Sequence, residues 1–508
     1  MKPQLNLPHR IRSLCTSWML VTWTLLTLCV IPQVCVATAN AEETVNKRLF
    51  SVGTTRKLFV DDHVIAELNN LKRVLHSPRR HPDNPIFIGD QPWESWLIEA
   101  NGRPVVYDPE TGKFKLYYVI WIADRKAPFG ARYLTCLAIS DDGIHWKRPV
   151  LGQYEWNGTT ENNILKVGDH WMRRPNVIRD RQESDPKRRF KMTFVDVIDG
   201  RTAIVKATSA DGVHWKRDRC PWFRRAHSSN LLGWDPQIGQ YVFFPRISRP
   251  RRGVGRSTSK DFVTWTQPKM VMTPDADEQH LRFKGLAAFR YEGVYFGSLW
   301  VFEDNQRAEA ELAFSRDGIH WSRPFPGQMF FPRGASDAWD SEMVLPVAPI
   351  VRDGQIWFFY SGWNIPYHTS ALTKARRGWF ENHQRKQRAI GLAWLRSDGF
   401  VSLNADRKEG ELVTKPFRFT GRQLRVNYTT STAGSLRVAL ETAEGKPIEG
   451  FRVADCPKIL GDKIDGEIKW RDGGDISSLV GRPVRLRFKL IDADLYSFRF
   501  STSESTAK

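Results

Sequence analysis

Cysteine is scarce in this chain, with six in 508 residues. Cys15, Cys29 and Cys35 fall within the first 41 residues, leaving Cys136, Cys220 and Cys456, an odd number at wide spacing. That excludes a disulfide framework and a thiolate metal site, and leaves one pair open in an oxidising compartment. No nucleophile elbow, phosphate-binding loop or dinucleotide fingerprint stands in a strand-to-helix setting, so the chemistries they mark are excluded and no cofactor or metal is implied. Beyond Val36 no apolar run is long enough to span a bilayer. Acidic residues are also in deficit, 56 against 76 lysines and arginines.

The one long apolar run, Trp18 to Val36, follows Lys2, Arg10 and Arg12 and precedes Ala39-Asn-Ala41. Residues 1–41 therefore read as a signal peptide, with an uncleaved anchor as the alternative. The expected product is secreted or periplasmic, with no stable membrane insertion. Three basic and no acidic side chains leave with the leader, so the net charge of +20 falls to +17. Such a surface favours polyanions. Export and the lack of any compact reader motif argue against nucleic acid, and an anionic polysaccharide or cell surface is the better partner. A general basic bias of composition is the alternative.

What the chain has is repetition. Ser140-Asp-Asp-Gly-Ile-His-Trp146 recurs as Ser209 to Trp215, Ser259 to Trp265 and Ser315 to Trp321, at intervals of 69, 50 and 56 residues. That is the length of a four-stranded antiparallel sheet with its turns. Asp-Gly supplies the turn, and the Trp begins the next strand and can pack between sheets. A second phrase, an apolar run, a turn and an aromatic run, begins at Val105, Val177, Leu231, Leu286 and Ala348. The fifth closing phrase is degenerate, Leu395-Arg-Ser-Asp-Gly-Phe400. The expected fold is all-β: a five-bladed β-propeller over residues 57–403, then a small β-sandwich over 404–508. In that sandwich Leu412 to Phe419, Leu424 to Thr430, Ser435 to Glu441, Gly466 to Arg471, Val484 to Leu490 and Leu495 to Phe500 read as separate strands.

The Ser-x-Asp-x-x-x-Trp hairpins and the opening Leu58-Phe-Val-Asp-Asp-His-Val-Ile65 resemble the five-bladed glycoside hydrolase superfamily of invertases, arabinanases and levansucrases. The resemblance implies a glycosidic bond processed at the channel mouth, where inner strands begin. Such chemistry needs one ionised carboxylate and one carboxylic acid. Trp96-Leu-Ile-Glu-Ala-Asn-Gly102 stands where invertase-like enzymes carry Trp-Met-Asn-Asp-Pro-Asn-Gly, which puts Glu99 in place of the nucleophile with Asn101 beside it. Arg173-Arg-Pro-Asn-Val177 lacks the family's Arg-Asp-Pro aspartate and offers Arg174 and Asn176, suited to a carboxylate or sulfate on the sugar.

The family's acid has no clear equivalent; His227 precedes the third inner strand instead. Asp275-Ala-Asp-Glu278 precedes the fourth and Asp337-Ala-Trp-Asp-Ser-Glu342 the fifth, offering Glu342 as acid with Asp340 and Glu278 behind it, and Trp339 as a stacking platform. Arg246 and Arg256 complete the expected anion ligands. Each of these residues also has a bland reading as a solvated, capping or rim side chain. Two functions follow from the residues: an exported carbohydrate-active enzyme hydrolysing an extracellular, anionic polysaccharide, or a non-catalytic glycan-binding or scaffold propeller.

Overall fold

The Ser-x-Asp-Gly-x-His-Trp phrases fold as local hydrogen-bonded knots. In the copy at 209–215 the Ser209 hydroxyl accepts from the Gly212 amide (2.9 Å), and Asp211 Oδ1 accepts from the Val213 and His214 amides (both 2.8 Å). Gly212 takes φ of +75°. Asp142, Asp261 and Asp317 repeat the two-amide arrangement. The computed structural model describes residues 49–94, 98–123, 131–167, 172–218, 223–224, 229–248, 251–303, 306–365 and 388–502. The expected leader, with its three cysteines, together with Cys220 and His227, lies outside the described residues. Cys136 and Cys456 are buried free thiols.

Each blade is built on four strands, to which Phe223–Arg224 is added in the second and Ile350–Arg352 in the fifth, and a parallel bridge from Ala308 to Met343 joins the fourth to the fifth. The first comprises Val105–Asp108, Lys113–Ala123, Ala131–Ser140 and Trp146–Lys147. The second comprises Arg173–Arg179, Phe190–Ile198, Arg201–Ser209 and Trp215–Arg217, and the third Ser229–Asp235, Gln240–Ile247, Gly253–Ser259 and Lys269–Met272. The fourth runs Leu281–Tyr291, Val294–Glu303, Ala308–Ser315 and Trp321–Ser322. In the fifth, Met343–Pro346, Gln355–Trp363 and Arg388–Arg396 are completed by Arg79–Arg80 from the other end of the chain. Among the described residues no helix is long and apolar enough to cross a membrane.

The hairpin tryptophans join neighbouring blades edge to face. Trp215 meets Tyr117 of the first blade (6.1 Å between centroids), Trp321 meets Phe244 of the third (5.6 Å) and Trp146 meets Phe359 of the fifth (6.1 Å). Trp265 is buried, whereas Trp146, Trp215 and Trp321 are half-buried, less than full interblade burial would give. The degenerate fifth phrase fills the same slot with Phe400, stacked on Phe296 of the fourth blade at 4.3 Å.

The C-terminal sheet departs from the sequence pattern in two ways. Two pairs of expected strands fuse into single long ones, Gln423–Thr442 and Val484–Ser501, which ladder together with a register shift between Thr430 and Ser435. There a Cβ on Gly434 would stand 2.3 Å from the Asp492 carbonyl, so the strands cross too closely for a side chain. The bend lets both strands serve a sheet folded around one apolar core that includes Leu424, Leu436, Phe488 and Phe498. Second, Phe50–Val52, Lys57–Leu58, Ile65–Asn69 and Lys72–Leu75, of which 57–75 were expected with the blades, pair instead with strands of this sheet. Alternation marks a strand but does not name its partner.

Candidate functional site

Inner strands approach the axis through irregular backbone. Ladder register shifts at Arg173/Asn176, Leu231/Gly233 and Phe283/Gly285 bulge the inner strands of the second, third and fourth blades. Bulges turn side chains out of the sheet's alternation, and here they release Arg174 and Lys284. Arg174 takes φ of +58°, rare for a residue with a Cβ and costly unless its surroundings hold it. In the first blade Glu99 pairs with Val119, and the chain leaves the ladder through Asn101-Gly102 before Val105.

Asparagines lock this geometry. Asn176 Oδ1 accepts from the Leu231 amide (3.1 Å), its Nδ2 donates to the Arg174 carbonyl (3.2 Å), and Asn230 Nδ2 donates to the Gly102 carbonyl (3.4 Å). Gly102, at φ +86°, has no alternative: a Cβ would lie 2.6 Å from Asn176 Oδ1. Arg103 donates to the Leu232 carbonyl (2.8 Å), and burial lowers its guanidinium to about 10, so it stays charged at neutral pH. On the other side the Ser361 hydroxyl bonds both the amide and the carbonyl of Ala100 (2.7 and 2.8 Å). Glu99 is thus held between the first, second and fifth blades.

Glu99 is 3% exposed, and neither carboxylate oxygen has a hydrogen-bond partner. Its contacts are longer ion pairs, Arg173 Nε at 3.6 Å and Arg388 Nη1 at 3.8 Å. Burial pushes the carboxyl up, but Arg173, Arg174, Arg388 and Lys284 pull it down further, and the net is a carboxyl below its ordinary range. All the charges acting most strongly on it are positive, and no second carboxylate is among them. Aromatic faces carry two of the cations: Arg388 lies 3.7 Å above the Trp363 ring and Arg173 4.3 Å above Tyr133. The arrangement is a buried carboxylate kept ionised by fixed cations around it.

The remaining expected residues are distributed elsewhere. Asn101 is buried with Oδ1 unpartnered, next to the Glu99 turn. Both Glu342 oxygens accept from Arg307, at 3.0 and 3.1 Å. Asp340 accepts from Arg80 Nε (2.9 Å) and the Tyr360 hydroxyl (3.2 Å), tying the N-terminal strand into the fifth blade. Trp339 stacks on Tyr360 at 5.5 Å and packs against the core. Glu278 accepts from Arg323 (2.7 Å). Arg246 is buried in the second strand of the third blade, and Arg256 acts on Tyr295 of the fourth. Among the described residues no three histidine, cysteine or acidic side chains are grouped to hold a metal ion.

Arg173, Lys284 and Arg388 were missed. Lys284 was detectable as the second of two cations, after Arg282, at the start of the inner strand Leu281-Arg-Phe-Lys-Gly-Leu286; Arg388 carries no such signal.

No family model and no curated protein matches this chain. Solved structures of similar shape include a β-1,2-mannobiose phosphorylase from Listeria innocua in complex with β-1,2-mannobiose (11% identity, 63% of this chain and 96% of that one, TM-score 0.43). Others are a glycosyl hydrolase from Bacteroides ovatus (13%, 64% and 97%, 0.43) and an N-acetylgalactosamine deacetylase from F. plautii in complex with blood group B trisaccharide (12%, 69% and 96%, 0.39). Three activities at such low identity leave function to be read from this chain's own residues.

Proposed function

We propose that the chain is an exported carbohydrate-active enzyme whose five-bladed propeller processes a glycosidic bond of an acidic polysaccharide at Glu99. One observation carries the reading: a buried, ionised carboxylate without hydrogen bonds, at an inner-strand entrance, surrounded by Arg173, Arg174, Lys284 and Arg388. A carboxyl held low is a poor proton acceptor. Glu99 therefore fits the role of the ionised group facing an oxocarbenium-like carbon, while the surrounding cations hold a carboxylate or sulfate of the same sugar.

A second reading is binding without turnover. It is favoured by the lack of a carboxylate, among the described residues, in the charges acting most strongly on Glu99, and by the engagement of Glu342 with Arg307. Purified mature protein incubated with uronate-rich, sulfated and neutral polysaccharides, with release of reducing ends and binding measured together, separates the two. Release from an acidic polymer is expected, and Arg174→Ala should weaken affinity for that polymer more than for its carboxyl-reduced or desulfated form. Binding without release gives the second reading, and no binding overturns both.

A further inference from the structure

A recess of about 610 Å³ opens between the third and fourth blades, and its wall includes Ser248, Arg251, Arg252, Gln279 and Arg282. Among the described residues three arginines and no carboxylate line it. Of the acidic residues beside it, Asp275 (2.8 Å) and Glu278 (2.7 Å) accept from Arg323, which also holds Glu311 (3.1 Å), while Asp277 is exposed on the same turn. Arg251 is fixed by the carbonyls of Pro274 (3.2 Å), Asp275 (3.1 Å) and Glu278 (3.4 Å), so part of the cationic wall is ordered before any ligand arrives.

Its position relates it to Glu99. Ser229 pairs with Pro245 and Ile247 with Gly253, so the turn carrying Arg251 and Arg252 lies at the end of the blade where its inner strand begins. Leu281 and Arg282 begin the inner strand of the fourth blade, and Lys284, one of the cations acting on Glu99, follows two residues later. Two residues of backbone, at most about 7 Å along a strand, thus link the recess to a cation that acts on Glu99.

We infer that this recess is a second subsite, which takes the sulfate or carboxylate of a sugar further along the acidic chain whose reacting unit sits at Glu99. Its ligand class rests on the glycan reading of Glu99, but its residues are separate. Guanidinium groups pair with such oxyanions through two parallel hydrogen bonds. The volume lies within the usual range for small-ligand sites.

The test is calorimetric titration of the full mature chain with a chondroitin sulfate octasaccharide, the corresponding disaccharide and a neutral glucose octasaccharide. Arg252 is half-buried on a turn, so Arg252→Glu should fold, which a melting curve verifies. Arg252→Glu should weaken octasaccharide binding about tenfold and leave the disaccharide unchanged. Arg252→Lys should restore most of the loss, and Arg174→Ala should weaken both lengths. Octasaccharide binding that ignores Arg252→Glu, that falls equally with the disaccharide, or that is absent in the wild type would overturn the subsite. A disaccharide that fails to bind, beside an octasaccharide that still depends on Arg252, would refute the Glu99 reading and leave this one standing.

Discussion

Two buried carboxylates, Glu99 and Asp398, sit in regions that use charge in opposite ways. Asp398, in the degenerate fifth phrase, accepts from Arg56 (2.9 Å), Tyr291 (2.7 Å), Asn427 (2.9 Å) and Ser497 (2.6 Å). It thereby joins the fourth and fifth blades, the N-terminal segment and the C-terminal sheet. The Glu99 carboxylate accepts no hydrogen bond and has only cations at longer range. A saturated buried carboxylate is structural cement, whereas an unsaturated one surrounded by fixed cations keeps capacity for a ligand.

Removing the cement should have the largest effect on stability. Asp398→Ala would take a shared acceptor from the Tyr291, Asn427 and Ser497 groups and from the half-buried Arg56, which keeps the Ile464 carbonyl and Asp465, and should cost about 3 kcal/mol in chemical denaturation. A loss no larger than that of an exposed substitution would break the contrast between the two carboxylates.

Trp321→Ala tests the blade contacts away from both. The ring is half-buried against Phe244, so the cost should fall near the lower end of the range for a truncated aromatic, about 3 kcal/mol. Unchanged melting would mean that the hairpin tryptophans do not join the blades.

A smaller effect belongs to the hairpin knots, whose bonds lie at the surface. Asp211→Ala removes the acceptor of the Val213 and His214 amides and should cost about 1 kcal/mol. An equal loss from Asp211→Asn, which keeps an acceptor oxygen, would count against the two-amide account.

The pH dependence separates Glu99 again. A carboxyl whose folded pKa is depressed contributes stability that is present above its unfolded value, about 4.3, and is lost as pH falls through the folded value. Glu99→Gln should therefore flatten part of the acid limb of melting temperature against pH below about pH 4. Identical acid limbs in the two proteins would refute the depressed carboxyl.

The hairpins were legible because Ser, Asp, Gly and Trp each act within seven residues of one another, and the all-β class followed from their period. Glu99 and Arg174 were legible as residues preceding inner strands. Lys284 and Arg388 were not selected, because their approach to Glu99 depends on a bulge and on a strand that follows a long connection. Asp398 looked like a decayed copy of the phrase. Its neighbours come from positions 56, 291, 427 and 497, a convergence that only the tertiary fold produces. The same holds for residues 50–75, whose partners lie more than three hundred residues away.

The most direct test places affinity and turnover of Glu99→Gln on the same acidic polysaccharide. Removing the one negative charge from the cationic cluster should tighten binding of the acidic polymer while product release falls about a hundredfold or more, with the protein still folded. Weaker binding with release unchanged would contradict the account, since Glu99 would then be a structural counter-ion and not the carboxylate that faces the substrate.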